Sequence, residues 1–102
     1  MYNRATMILS IQQRKYLKGL AHDRKPLVTI GQNGLTEAVI AELEQTLAHH
    51  ELIKIKLPAG DKAIRVEMLE IICKKLKASM VNLIGRTGVI FRQAEKSRIT
   101  LP

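Results

Sequence analysis

The sequence predicts an α/β domain, a two-layer sandwich in which an N-terminal helix precedes βαβαββ and a four-stranded mixed sheet. Three observations lead there. Apolar residues recur at helical spacing in three stretches, over about 10–22, 36–49 and 61–76. Short apolar or alternating runs at 27–30 and 52–57 separate them. Two further runs, 80–84 and 89–92, flank a glycine-containing turn and must pair antiparallel. The 102 residues, 46% of them hydrophobic, amount to one domain's worth of chain.

The first helix starts at Ser10, whose hydroxyl can cap it. Gln13 stands three residues on, the spacing of a capping box. Ile11, Tyr16, Leu17, Leu20 and Ala21 form its apolar stripe, with Arg14, Lys15 and Lys18 off it. It ends near His22, because Lys25 precedes Pro26 and is driven toward extended geometry. Residues 1–9 show no pattern and read as an N-terminal extension to a domain spanning 10–102.

Leu27-Val28-Thr29-Ile30 is nearly continuous in apolar character, which suggests a strand inside the sheet. Gly31-Gln32-Asn33-Gly34 then turns the chain. The second helix follows with Val39, Ile40, Leu43 and Leu47 on its core face and Glu37 in its first turn. In the second strand Ile53, Ile55 and Leu57 alternate with Lys54 and Lys56, so one side is buried and the other open. Asp61 can cap the third helix, which turns Val66, Leu69, Ile72, Cys73 and Leu76 inward. Gly85-Arg86-Thr87-Gly88 reads as the final hairpin turn. The strand order is left open, as is the choice between a docked and a free tail after Gln93.

Charge narrows the function. Lys and Arg number 17 against nine Asp and Glu, for a net charge of +8 and a pI near 10.0. A chain this basic is expected to meet a polyanion, nucleic acid first. The excess is polarised: residues 1–26 carry six cations against one anion, 27–60 two against four, and 61–102 nine against four. No run of apolar residues approaches a membrane span, no secretory signal pattern opens the chain, and the single cysteine, Cys73, makes no internal disulfide. The expected address is cytoplasmic.

The strand, G-x-x-G and helix at 28–40 carry the most specific chemistry. Glycine admits positive φ and lets a ligand come close to the backbone. A helix start offers unpaired N–H groups and partial positive charge, a natural phosphate seat. The third glycine of a dinucleotide fingerprint and the Lys-Ser/Thr of a P-loop are both missing, which argues against nucleotide hydrolysis or NAD binding. On its own the motif reads equally well as a tight turn with no ligand. Arg14, Lys15, Lys18, Arg24 and Lys25 precede it, and if the first helix packs beside the first strand they border the loop and track a phosphate backbone. Each of them singly also reads as a solvated helix face. Arg86 at the hairpin tip and Arg92 are intermediate cases. Lys74, Lys75 and Lys77 suit a helix C-terminus as well as a ligand.

Other chemistries fare worse. With only Tyr2, Tyr16 and Phe91 as aromatics, and Phe91 assigned to the core, the sheet lacks the exposed rings that read single-stranded bases. Recognition should rest on backbone, shape and charge. His49 and His50 are adjacent and diverge by about 100° on a helix, so no metal site is expected from them. Cys73 falls on an apolar face as a small hydrophobe. No carboxylate pair or nucleophile stands in a recognisable motif, so neither catalysis nor a cofactor is expected.

The runs Leu17-Lys18-Gly19-Leu20-Ala21-His22, Lys25-Pro26 and Ile30-Gly31-Gln32-Asn33-Gly34-Leu35-Thr36 resemble the signature of the CRM domain (chloroplast RNA splicing and ribosome maturation), in its stand-alone bacterial, YhbY-type form. His50-Glu51-Leu52-Ile53-Lys54 and Gly85-Arg86-Thr87 fit as well, so the resemblance spans residues 10–101. It implies a fold similar to the C-terminal domain of bacterial translation initiation factor three, association with ribosomal RNA in precursors of the large subunit, and no enzymatic activity. It places the binding surface at Gly31, Gln32, Asn33 and Gly34 with nearby basic residues. Members often carry a basic residue inside the loop, where this chain has Gln32 and Asn33. Charge then falls to Arg14, Lys15, Lys18, Arg24, Lys25 and Arg86. The expectation is an RNA-binding assembly factor without small-molecule substrate, metal or membrane partner. The alternatives are a DNA-binding architectural protein, or an adaptor that docks a basic partner on its acidic second helix.

Overall fold

A computed structural model describes residues 6–102. Tyr2 and Arg4, counted above, lie outside the described residues. The elements run α1 (Ile11–Ala21), β1 (Val28–Thr29), α2 (Glu37–His50), β2 (Leu52–Lys56), α3 (Lys62–Leu76), β3 (Ser79–Ile84) and β4 (Thr87–Phe91).

Each helix begins where a side chain can satisfy its first amides. The Ser10 hydroxyl accepts the Gln13 N–H at 3.0 Å while the Gln13 side chain accepts the Ser10 N–H, so the capping box is closed in both directions. Thr36 caps α2 through the Val39 N–H and Asp61 caps α3 through the Ala63 N–H. α3 ends on Lys77 in the left-handed region.

The sheet is mixed, in the order β1-β2-β4-β3. β1 runs parallel to β2; β4 is antiparallel to both β2 and β3. β1 is therefore an edge strand, not the interior one that its apolar run suggested. Only Val28 and Ile30 are buried, while Thr29 and Leu27 face out, so the run alternates as an edge strand does. The hairpin turn is shorter than expected, with Gly85 (φ 55°) and Arg86 as its two turn residues and Ile84 paired to Thr87. Gly88 is already in β4, where a Cβ would stand 2.9 Å from a methyl carbon of buried Leu69.

The sheet separates two apolar clusters. Leu43 and Leu47 of α2, Leu69, Ile72 and Leu76 of α3, and Ile53, Ile55 and Ile90 of the sheet fill one side. Leu17 and Ala21 of α1 pack with Leu52, Val81, Val89 and Phe91 on the other. The two-layer picture thus describes the sheet with α2 and α3, and α1 adds a partial third layer across β2, β3 and β4. Two stripe residues of the sequence reading, Ile11 and Tyr16, are exposed; Leu17 and Ala21 carry the contact. Leu9 is buried with α1, so this part of residues 1–9 belongs to the core. A bulge between Met80 and Asn82 in β3 shifts the register with β4; Val81 packs on the α1 side and Met80 on the other, as alternation along a strand gives.

The tail is docked. Glu51 is fully buried, and its carboxylate accepts the backbone N–H groups of Ala94, Arg98 and Ile99 at 2.8, 2.8 and 3.2 Å. Ile99 and Leu101 then pack on the α1-side cluster.

Candidate nucleic-acid interface

One end of the sheet collects the glycine loop, the C-terminal ends of parallel β1 and β2, the β3–β4 hairpin, and the starts of α2 and α3. The Ile30 N–H bonds the Lys56 carbonyl and the Leu57 N–H bonds the Arg86 carbonyl, which ties these pieces together. Arg65 at the start of α3 donates to the carbonyls of Gly60 and Gly85. Both helices aim their N-termini at this end. Each contributes about half a unit of positive charge there.

The loop itself is open. Gly31 accepts the Gly34 N–H at 3.1 Å, closing a turn with Gln32 and Asn33 exposed at its tip. Gly34 sits at φ 71°, a conformation that requires glycine at little cost, and it delivers the chain to the cap residue Thr36. A Cβ at Gly31 or Gly34 would meet nothing within 4 Å, so a backbone or phosphate can approach either position. Two features oppose an anion: the Thr36 hydroxyl already takes the Val39 N–H, and Glu37 stands in the first turn of α2. Any phosphate seat therefore depends on loop amides and on the surrounding cations.

Those cations differ in part from the ones expected. Arg86 is exposed at the hairpin, with its Nε donating to the Leu57 carbonyl at 3.0 Å. Lys56 pairs in register with Thr29, two residues before Gly31. Lys18 projects from α1 into a cleft of about 310 Å³ that it shares with His22, Lys54, Asn82 and Thr87. Arg14 lies one turn before Lys18 on the same helix face, with Lys15 beside it, both exposed. Lys54 is held there by a 3.1 Å bond from its Nζ to the His22 carbonyl. A basic strip thus runs from Arg14 and Lys18 over Lys54 and Lys56 to Arg86 and the loop.

Arg24 and Lys25 are not part of it. They enter β1 at the end opposite Gly31, with a bend at Leu27 between. Arg24 donates to the Leu52 carbonyl at 2.9 Å and lines a different cavity. α1 packs across β2, β3 and β4 instead of beside β1, so the expected flanking of the loop by all five cations is not what the fold gives; of the five, Lys18 alone lines the cleft on the sheet. Lys74 and Lys75 lie at the far end of α3, about 18–20 Å from its start. Arg92 is buried: it forms a bidentate ion pair with Glu44, one arm at 2.9 Å, and donates to the Leu76 carbonyl at 3.0 Å, so it fastens β4 to α2 and α3.

Lys54 and Lys56 were legible as residues on the open side of a strand, but their adjacency to the loop needs the β1-β2 pairing, which no local signal supplies. Burial pushes the Cys73 thiol up to about 12, with the Glu70 carboxylate adding to the effect, so it is a poor nucleophile. Among the described residues no group of three His, Cys, Asp or Glu side chains could hold a metal ion, and no helix is long and apolar enough to cross a membrane.

Comparison with known proteins identifies the family of the chain. The family model of the CRS1 / YhbY (CRM) domain matches residues 9–92. An RNA-binding protein of Haemophilus influenzae is 45% identical over 94 residues, covering 92% of this chain and 95% of that protein. A probable RNA-binding protein of Pseudomonas aeruginosa is 38% identical over 90 residues, covering 88% and 86%. The solution structure of a hypothetical Staphylococcus aureus protein, described as a candidate RNA binder, aligns with a TM-score of 0.82 at 32% identity, covering 93% of this chain and 100% of that one.

Proposed function

The chain belongs to the CRS1 / YhbY (CRM) domain family, and from that premise we propose that it binds structured RNA through its phosphate backbone, as a non-enzymatic cytoplasmic factor acting on ribosomal RNA in precursors of the large subunit. The observation that carries the reading is the open turn at residues 31–34, set at one end of a strip of cations from Arg14 to Arg86. Glycine at both ends lets the strand come within hydrogen-bond reach of loop amides, and the Gln32 and Asn33 side chains add donors. Lys and Arg displace counterions along the strand. Relatives in two bacteria carry RNA-binding names, which favours RNA over duplex DNA. The adaptor alternative has less support, because Glu44 of the acidic helix is engaged by Arg92.

Crosslinking in cells followed by sequencing of the attached RNA tests the reading. Enrichment of large-subunit ribosomal RNA is expected. Recovery of no RNA above background contradicts RNA binding, and recovery of other transcripts alone contradicts the ribosomal assignment. Parallel titrations with structured RNA and duplex DNA at one salt concentration separate the two polyanions.

A further inference from the structure

The end of the sheet opposite the glycine loop holds a second cationic cavity, of about 510 Å³, within the range of small-molecule sites. Arg24, Lys25 and Arg98 bring three formal positive charges to its lining; Lys54 also lines it, but its Nζ is turned to the His22 carbonyl. The carboxylate there, Glu51, is buried and spent on three backbone amides. The C-terminus of α2 adds about half a negative charge. Three cations exceed what these two groups call for.

The walls suit the rest of a nucleotide. Leu27 is 49% exposed although apolar, and it lines the cavity beside His49 and His50. The two imidazoles meet edge to face with centroids 4.9 Å apart, and both residues are exposed. Imidazole faces and an aliphatic wall are surfaces on which a base stacks. Arg24 is anchored by one N–H on the Leu52 carbonyl, which fixes the guanidinium while leaving donors for an anion. Arg98 is set by its backbone N–H on Glu51.

We propose that this cavity seats one unstacked nucleotide of the bound RNA strand, with its phosphate on Arg24, Lys25 and Arg98 and its base against Leu27 and the histidine pair. The inference rests on the RNA-binding reading, and it adds a second contact at the end of β1 away from the glycine loop. An RNA engaging both ends must present a bulge or a single-stranded segment at the second.

The test uses the full chain and two kinds of probe. Adenosine 5′-monophosphate, titrated against isotopically labelled protein, is expected to shift the amide signals of Lys25, His50 and Arg98, and inorganic phosphate to shift them less. For a structured RNA carrying a bulge, Lys25→Gln with Arg98→Gln is expected to make the slope of log affinity against log salt shallower by about 0.7, the share of the one phosphate seated there. Lys25→Arg with Arg98→Lys should restore it. An unchanged slope in the Gln pair overturns the proposal, as do amide shifts from the mononucleotide no larger than those from inorganic phosphate. Should Gly31→Asp weaken RNA binding while the Gln pair does not, the loop reading stands and this one falls; the converse result keeps this site and removes the loop.

Discussion

The carboxylate of Glu51 accepts the backbone N–H of Arg98 at 2.8 Å, so the residue that ends α2 fixes the tail 47 positions later. Burial alone would raise the pKa of this carboxyl. The amides of Ala94, Arg98 and Ile99 and the Ser97 hydroxyl outweigh that and hold it below its ordinary value of 4.5.

A lowered folded-state pKa means that the unfolded chain binds the proton more readily. The stabilisation from Glu51 is therefore complete above about 4.5 and is lost as pH falls through the folded value. Urea unfolding followed from pH 6 to pH 3 should show wild type losing more stability than Glu51→Gln. At neutral pH the same variant should be less stable by about 1–3 kcal/mol, since it leaves buried amides poorly matched. Parallel pH curves for the two proteins would contradict this role.

Gly88→Ala should destabilise the domain by about 1–3 kcal/mol, because the added methyl meets Leu69 in a filled core. RNA affinity of the folded fraction should not change. The pair of readouts is denaturant midpoint and binding at a temperature where the variant is folded.

At the loop, Gly34→Asp mixes two effects. It adds an anion at the proposed seat and also forces a side chain to φ 71°, at a cost of about 1–2 kcal/mol. Gly31→Asp lacks the backbone strain and has open space around its Cβ. It should leave the unfolding midpoint within about 0.5 kcal/mol of wild type while weakening RNA binding. Unchanged affinity in folded Gly31→Asp contradicts the assignment of the loop.

Lys56→Gln with Arg86→Gln should weaken RNA binding and flatten its salt dependence by about 1.4–1.8 in slope. Arg86 also supports the hairpin through the Leu57 carbonyl, so a melting curve accompanies the titration. Lys74→Gln with Lys75→Gln, at the far end of α3, serves as the contrast and should leave the slope unaltered.

Much of this architecture is written locally. Ser10 with Gln13, Thr36 and Asp61 mark helix starts because capping is decided within three residues. Ile53 and Ile55 alternate with Lys54 and Lys56 because the isoleucines face α2 and α3; the lysine face, read as open, is partly covered by α1, which buries Leu52 and leaves both lysines half-buried. Non-local features were not legible. The run 27–30 has the composition of an interior strand, yet pairing places it at the edge. Arg24 and Lys25 stand close to Gly31 in sequence, but the extended strand between them carries them to opposite ends of the sheet. Arg92 looks like any strand-end cation until Glu44 and Leu76 close around it. Glu51 is a non-glycine residue at φ 64°, and no sequence rule marks a glutamate for that conformation.

The most direct test of phosphate-backbone binding is the affinity of wild-type protein for a structured ribosomal RNA fragment, measured from about 50 to 200 mM salt. With roughly six phosphates engaged, log affinity should fall against log salt at a slope of about −4 to −5. A flat response would contradict the account.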